Sequence, residues 1–345
     1  MIKEADMSKK IAVLGTGANG ASIGADLTRA GLDVVFIEQW PAHVEAMRAH
    51  GITINTPEES VTTQVRTMHL CEVATLKEKF DVVLMVMKAY DSKWAAQLIE
   101  PYLKEDGLLV GVQNGMSIDD IVGVVGINRT MGCVLEITSA MFEPAIIERH
   151  SGHNRSWFAV GALDVSTQGR EEEIASLLRH SGSVDIVSDI RSTKWTKIIS
   201  NATTLVPTAI LGMPMREAIL IPEMRAFMIA SGKEAQLASK LLGNTLLPIF
   251  GLTAKDIANE EQVVETLLDT LMQGFVLPSS TTTILQDWQK SRHSEVNEIN
   301  GLVVKTLKSF GKEAPVNSKV VEMARKIEHG ELTPDSKNLA ELLDY

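Results

Sequence analysis

The first residues of interest are a lysine and an asparagine in the segment TKWTKIISNATTLVP, residues 193–207. Lys197 and Asn201 stand four residues apart, so they share one face if the segment is helical, and Ile198 and Ile199 beside them indicate an apolar helix. An ammonium within hydrogen-bond reach of a ketone oxygen can polarise the carbonyl and supply the proton that a hydride reduction needs. The alternative is that Lys197 extends its charged end to solvent from a half-buried helix.

A glycine motif near the start of the chain predicts a dinucleotide site. LGTGANGASIG places Gly15, Gly17 and Gly20 as G-x-G-x-x-G between the apolar β run KIAVLG and a helical segment, and the β run LDVVFIEQ completes a βαβ unit. Gly15 permits the tight turn, Gly17 lets a pyrophosphate approach the backbone, and Gly20 allows close packing of helix on sheet. The anion then rests on the helix N-terminus. Packing alone is the alternative explanation of the glycines.

The end of the second β run, VFIEQW, indicates which nicotinamide cofactor the protein prefers. Glu38 lies eighteen residues after Gly20, where a Rossmann unit carries the acid that accepts from the adenosine ribose hydroxyls. A carboxylate there repels a 2′-phosphate, and no Arg or Lys follows before Arg48. We therefore expect NAD(H) to be favoured, with NADP(H) as the alternative cofactor. The other possibility is that Glu38 points into solvent and Gln39 or Trp40 borders the adenine.

The order of β runs and helical segments predicts the fold class and two domains. Further β runs at 81–88, 107–115 and 130–137 predict a parallel sheet covered by helices on both faces, followed by antiparallel β structure over 142–163 and a last strand at 184–190. Helical periodicity then continues over 215–243, 254–275, 281–311 and 316–330. We expect an α/β Rossmann domain over residues 1–189, an all-helical domain over 190–345, and an active site in the cleft between them.

Polar residues interrupt the C-terminal ends of two of the parallel β runs. They are Lys88 in LMVMKAYD and Asn114 in VGVQNGMS, at the edge where open α/β sheets bind ligands, although each alone is typical of a turn. Together with the glycine motif, the K-x-x-x-N segment and LQDWQKSRHSEVNEINGL, in this order, they identify a resemblance. The chain resembles the ketopantoate reductase family, also called 2-dehydropantoate 2-reductases, from about Ile11 to the last helix.

This resemblance implies roles for five polar residues. Lys88 and Asn114 would contact the cofactor or the substrate beside the nicotinamide. Lys197 would be the catalytic lysine and Asn201 a substrate ligand. Glu295 would be the acid that orients the substrate or the lysine.

Three positions bear on substrate and cofactor choice within that resemblance. Thr283 occupies a position where the family commonly has a serine that binds the substrate carboxylate. The family pattern has a second asparagine four residues after the first, but here that position is Leu205, which puts an apolar group in the expected substrate pocket. The acidic Glu38 also departs from the family's biosynthetic members, which typically use NADPH.

Composition limits the classes of partner and compartment. The net charge of −11 argues against general affinity for nucleic acids or anionic membranes. Cys71 and Cys133 form no CxxC pair and the eight histidines form no HExxH pair, so we expect neither a disulfide framework nor a metal. MIKEADMSKK has no apolar signal region and no run of about 18 apolar residues follows, which predicts a cytoplasmic protein with no membrane span. A homodimer is one possible assembly.

The function expected from these observations is interconversion of a 2-oxo acid and a 2-hydroxy acid with a nicotinamide cofactor. Reduction of 2-dehydropantoate to pantoate is the first hypothesis. The second is an NAD-dependent dehydrogenase of a different, more apolar 2-hydroxy acid. The third is a non-catalytic NADH-binding sensor, which would need neither Lys197 nor Glu295.

Overall fold

The computed structural model describes residues 9–278 and 280–345, and the chain divides into two compact units between Ile190 and Arg191. Most of the N-terminal segment on which the expectation about a signal peptide rests lies outside the described residues. No α-helix in the described part of the chain combines the length and apolar character needed to cross a bilayer.

The first unit contains an eight-stranded sheet and a separate four-stranded sheet. Its strands are β1 (Lys10–Leu14), β2 (Asp33–Glu38), β3 (Ile52–Asn55), β4 (Ser60–Thr63), β5 (Arg66–His69), β6 (Phe80–Met85), β7 (Leu103–Val112), β8 (Thr130–Glu136), β9 (Ser139–Glu143), β10 (Ile146–Arg149), β11 (Trp157–Ala162) and β12 (Ser183–Ile186). The order in the large sheet is β12-β11-β8-β7-β6-β1-β2-β5, and all neighbours are parallel except β11 and β8. The expected Rossmann architecture is confirmed.

Helices cover both faces of the large sheet, as continuous apolar strands require. They are α1 (Ala18–Arg29), α2 (Pro41–His50), α3 (Ser92–Ile99), α4 (Ile118–Val125) and α5 (Glu171–Leu178). Along β1 the side chains alternate between two cores: Ile11 and Val13 pack into one, and Ala12 and Leu14 into the other. The strand order reverses between β1 and β6, which is where an open α/β sheet binds its ligand.

The four-stranded sheet is a feature that the sequence interpretation missed. Its order is β4-β3-β10-β9, so the antiparallel stretch expected over 142–163 is in fact shared between two sheets, with β11 pairing to β8 instead. These strands have four or five residues each, and periodicity over so few residues is a weak signal.

The second unit is helical, as expected, but its helices are shorter than the periodic segments. They are α6 (Ile190–Ile210), whose first residue ends the first unit, α7 (Met215–Ala218), α8 (Pro222–Leu241), α9 (Val263–Gly274), α10 (Thr283–Gln289), α11 (Asn300–Ser309), α12 (Pro315–Glu328) and α13 (Leu339–Leu342). Pro222 starts a new helix because its ring fits the first turn, so the segment 215–243 is divided. The segment 281–311 also contains two helices, and the residues between them form a loop.

Candidate active site

Two of the three motif glycines are required by the backbone of the first unit. Gly15 has φ +88°, and a Cβ there would lie 2.4 Å from Met87 Cγ in the segment after β6. A Cβ on Gly20 would lie 2.0 Å from the carbonyl oxygen of Gly15, so only glycine lets α1 approach the loop this closely. Gly17 is different, because no described heavy atom lies within 4 Å of a Cβ built there. A pyrophosphate therefore has room to approach the backbone at Gly17.

The N-terminus of α1 fits an anion. Gly17 is its N-cap, no described side chain caps its first turn, and that turn contains no acid. The amide groups at this end carry the positive pole of the helix dipole. The loop also follows β1 at the point where the strand order reverses. These residues fit the pyrophosphate of a nicotinamide dinucleotide.

Glu38 ends β2 with its carboxylate turned into this loop, and it is 6% exposed. Oε2 accepts from the Thr16 amide at 2.7 Å and the Thr16 hydroxyl at 3.1 Å, and Oε1 accepts from the amides of Gln39 at 2.8 Å and Trp40 at 3.0 Å. A carboxylate has about four acceptor positions, and the protein uses them all. The alternative of a solvent-directed Glu38 is wrong. Acceptance from the ribose hydroxyls stays a prediction, and it requires the carboxylate to exchange a protein donor for a ligand donor.

His43 is a second support of the loop, and the sequence interpretation did not single it out. Its Nδ1 accepts from the Ala145 amide at 2.8 Å, so Nε2 carries the hydrogen and donates to the Thr16 carbonyl oxygen at 2.9 Å. Burial lowers the pKa of His43, against the smaller opposing effects of the Thr16 carbonyl and the Glu38 charge. The neutral ring therefore joins the glycine loop to the turn between β9 and β10. Nothing in the sequence around His43 indicates that it supports the glycine loop.

Lys88 and Asn114 occupy equivalent positions after neighbouring strands. Met85 of β6 pairs with Gly111 of β7, and each site residue follows three positions later. The buried Gln113 side chain fastens the two segments, because its Nε2 donates to the carbonyl oxygen of Met87 at 2.8 Å. Gln113 therefore has a structural role, which the QNG motif in the sequence did not indicate.

Gln113 is itself held in place by two serines. Ser117 donates to its Oε1 at 2.9 Å, and its Nε2 lies 2.9 Å from Ser92 Oγ. The orientation of the Gln113 amide is thereby determined, and with it the course of the chain at Lys88.

The lysine and asparagine of the second unit are both buried in α6. Lys197 is 4% exposed and Asn201 2% exposed, so the alternative in which Lys197 extends to solvent is wrong. The Lys197 Nζ lies 4.6 Å from the centroid of the Phe250 ring, within the range of a cation–π interaction. Leu205 follows one turn after Asn201 and is half-buried. The three residues at i, i+4 and i+8 lie along one side of one helix.

Thr283 and Glu295 come from two other segments of the same unit. Thr283 is the first residue of α10, and its hydroxyl oxygen is buried with no hydrogen-bond partner among the described residues. This hydroxyl is therefore able to form a hydrogen bond with a bound substrate. Glu295 is buried in the loop before α11. Burial raises the pKa of the nearby Glu298, and the charge of Glu295 adds to that effect.

Glu328 of α12 holds the loop that carries Glu295. Its Oε1 accepts from the amide of Ser294 at 3.0 Å, the hydroxyl of Ser294 at 2.6 Å and the indole of Trp288 at 3.3 Å. Its Oε2 lies 2.8 Å from Nδ1 of the half-exposed His293. His293 therefore has a structural partner here, and the neighbouring Glu295 is fixed through Ser294.

The asparagine of the ING segment is a packing residue. Asn300 is fully buried, and its Nδ2 donates to the Ala202 carbonyl oxygen of α6 at 3.2 Å and to Asn317 Oδ1 of α12 at 2.8 Å. Asn317 in turn donates to Glu234 of α8 at 2.7 Å. This network joins four helices around the segment of α6 that carries Asn201.

Comparison with known proteins identifies the family of the chain. The family model for ketopantoate reductase PanE/ApbA matches residues 11–163, and the model for its C-terminal region matches residues 189–328. A 2-dehydropantoate 2-reductase of Archaeoglobus fulgidus is 24% identical over 331 residues, covering 93% of this chain and 99% of the relative. Within the described residues, no group of three or more His, Cys, Asp or Glu side chains is arranged to hold a metal ion.

Two solved structures show the same fold. A PanE/ApbA family ketopantoate reductase from Ralstonia eutropha has a TM-score of 0.78 at 22% identity and covers 93% of this chain and 99% of its own. D-mandelate dehydrogenase in a ternary structure with NADH and anilino(oxo)acetate has a TM-score of 0.81 at 20% identity, with the same coverage of 93% and 99%. Because the two family models together span most of its length, the chain belongs to the ketopantoate reductase family of nicotinamide-dependent oxidoreductases that act on CH–OH groups.

Proposed function

We propose that this protein reduces a 2-oxo acid to the 2-hydroxy acid, with 2-dehydropantoate as the first candidate substrate. The observation that carries the proposal is the burial of the Lys197 ammonium together with Asn201 on one side of α6. An ammonium held where water is excluded is suited to polarise a carbonyl oxygen and to donate a proton to it. Family membership supports the same reaction.

The proposed chemistry divides the reduction between hydride and proton. The reduced nicotinamide supplies the hydride to the carbonyl carbon when it is bound. Lys197 donates a hydrogen bond to the carbonyl oxygen and then transfers its proton there, so that the ketone becomes an alcohol and the lysine becomes a neutral amine. Asn201 binds the substrate, the Thr283 hydroxyl binds its carboxylate, and Glu295 orients the substrate or the lysine.

We further propose that NADH is favoured over NADPH. The charge of Glu38 lies at the end of β2, and the first cation after it, Arg48, is paired with Glu45 at 2.9 Å and with Glu72. A 2′-phosphate would therefore meet a negative charge, and the first arginine that follows in the sequence already has two carboxylate partners. NADPH, the usual cofactor of the family's biosynthetic members, is the alternative.

A second candidate substrate is a more apolar 2-oxo acid that lacks a side-chain hydroxyl. Leu205 favours it, because an apolar residue there offers no hydrogen bond to a substrate hydroxyl. The likeness in fold to D-mandelate dehydrogenase bound to NADH is consistent with this candidate. A non-catalytic NADH sensor is the third hypothesis, and the buried Lys197 and Glu295 argue against it.

The experiment is a steady-state assay of NADH and NADPH oxidation against a panel of 2-oxo acids that includes 2-dehydropantoate and phenylglyoxylate. We expect kcat/KM to be highest for one member of the panel and about tenfold or more higher with NADH than with NADPH. A preference for NADPH contradicts the cofactor proposal. No turnover with any member, while NADH still binds by fluorescence titration, favours the sensor.

A further inference from the structure

The loop between α8 and α9 places an aromatic ring against the lysine of α6. The Phe250 centroid is 4.6 Å from Lys197 Nζ, and both side chains are buried, Phe250 with 6% exposure and Lys197 with 4%. The attraction between an ammonium and an aromatic face increases when water is excluded. The ring therefore stabilises the charge of a lysine that burial would otherwise penalise.

The backbone at Phe250 is held in a conformation that non-glycine residues rarely adopt. Its φ is +61°, in the left-handed region, and Gly251 follows with φ +78°. A bulky residue keeps such a conformation only where its surroundings enforce it, and such residues are found disproportionately at functional sites.

Hydrogen bonds to α6 and a ring contact hold the loop that carries Phe250. The amide of Thr245 donates to Ser192 Oγ at 3.1 Å, and the amide of Leu247 donates to Thr196 Oγ1 at 3.1 Å. The loop is thus fastened to the turn of α6 that immediately precedes Lys197. The Phe275 ring also packs against the Phe250 ring, with a centroid separation of 5.1 Å.

We propose that Phe250 is a positioning residue for Lys197, which fixes the ammonium where it can donate its proton. A lysine side chain has four rotatable bonds, and holding one rotamer raises the fraction of molecules in which Nζ is within reach of the carbonyl oxygen. This inference rests on the proposed function, in which Lys197 is the proton donor. It adds a residue that the glycine, lysine and asparagine motifs do not contain.

The experiment replaces Phe250 with a series of fluorinated phenylalanines, which weaken the cation–π interaction stepwise and change the ring volume little. We expect log kcat for the best substrate to fall with each added fluorine, by roughly tenfold at trifluorophenylalanine, while KM for NADH stays constant. Phe250→Trp should retain kcat and Phe250→Leu should lose it. The same fluorinated series at Phe275, which packs against Phe250, is the matched control and should leave kcat within about twofold.

Packing and positioning give different results in this design. If kcat is the same across the fluorinated series, or if the Phe275 series lowers it equally, Phe250 acts only in packing and the inference is overturned. A parent enzyme that reduces no 2-oxo acid overturns the proposed function and this inference together. As a structural check, the Lys197 side-chain protons should show an upfield ring-current shift in NMR spectra that Phe250→Leu abolishes, and absence of that shift also overturns the inference.

Discussion

At the scale of single residues, the proposed site in the second unit is marked by buried polar groups. Lys197 is buried beneath an aromatic ring, and the Thr283 hydroxyl is buried with no partner among the described residues. Glu38 and Gln113, in contrast, are saturated by hydrogen bonds from their own unit. Glu38 can therefore bind the ribose hydroxyls only by exchanging one of these protein donors, whereas the Thr283 hydroxyl needs no such exchange.

Removal of the Lys197 ammonium tests its role as the acid. We expect Lys197→Met, which preserves most of the side-chain volume, to lower kcat by about 100-fold or more and to leave the Kd for NADH unchanged, because loss of a positioned acid removes transition-state stabilisation. Single-turnover assays and NADH fluorescence titration measure the two effects.

Lys194→Met is the matched control for that variant. Lys194 is a second buried lysine on the same helix, three residues earlier. If Lys194→Met lowers kcat as much as Lys197→Met does, the loss follows from removing a buried charge from α6 and Lys197 has no special role in proton transfer.

At the scale of secondary structure, α6 is a buried helix that carries three of the proposed site residues among many hydroxyl side chains. Thr196, Thr203, Thr204 and Thr208 each donate their hydroxyl to the carbonyl oxygen four residues earlier, so their polar groups are satisfied within the helix. A long helix can therefore be buried despite many hydroxyl groups. Lys197, Asn201 and Leu205 follow one another on this helix at four-residue spacing.

Leu205 is the position on α6 where substrate choice should change. We expect Leu205→Asn to raise kcat/KM for 2-dehydropantoate relative to a 2-oxo acid without a hydroxyl by about fivefold to 100-fold, because a new hydrogen bond to the substrate hydroxyl contributes roughly 1 to 3 kcal/mol. Competition assays with both substrates measure the ratio. Leu205→Met, which stays apolar, should leave the ratio as it is, and an unchanged ratio in Leu205→Asn would mean that Leu205 does not line the substrate pocket.

At the scale of the whole molecule, buried polar pairs connect elements that are distant in sequence. Within the first unit, the guanidinium of Arg149 in β10 donates a hydrogen bond to the carboxylate of Asp26 in α1 at 2.6 Å. His43 of α2 accepts a hydrogen bond from the amide of Ala145 in the turn before β10. The small sheet is thus fastened to the helix that begins at the glycine loop. The stability of the small sheet and the shape of the glycine loop should therefore change together.

The pH dependence of stability tests the role of His43. Because burial lowers the pKa of His43 below 6.5, the unfolded chain binds its proton first as the pH falls. The stabilisation is complete above pH 6.5 and decreases as the pH falls from there toward the lowered pKa. We expect His43→Gln, whose amide can accept from Ala145 and donate to Thr16 without titrating, to remove this part of the pH dependence.

Urea unfolding between pH 5 and 8 measures that contribution. His43→Ala should lower the free energy of unfolding at pH 8 by about 2 kcal/mol, because it leaves buried backbone groups without partners. His50→Gln, at the exposed end of the same helix, is the control and should leave the pH dependence intact. An unchanged slope in His43→Gln would show that other groups cause the acid-side loss.

Local patterns in the sequence were enough to predict the Rossmann unit and the helical second unit. The glycines at 15 and 20 are dictated by backbone geometry within one βαβ unit, and apolar periodicity marks the long strands and helices. Both signals depend on neighbours along the chain. They fail for β3 to β5 and for the helix ends near Pro222, where the runs are short or a proline restarts the helix.

Only the tertiary structure decided which polar residues support the site from a distance. His43 and Ala145 are 102 positions apart, and Phe250 reaches Lys197 from a loop without periodicity. The sequence placed Glu38 correctly at the end of β2, but its side-chain direction depends on the Thr16 amide 22 residues away. The physical reason is that a hydrogen bond or a ring contact is made by atoms brought together by folding, and the chemical types of those atoms do not reveal the partner.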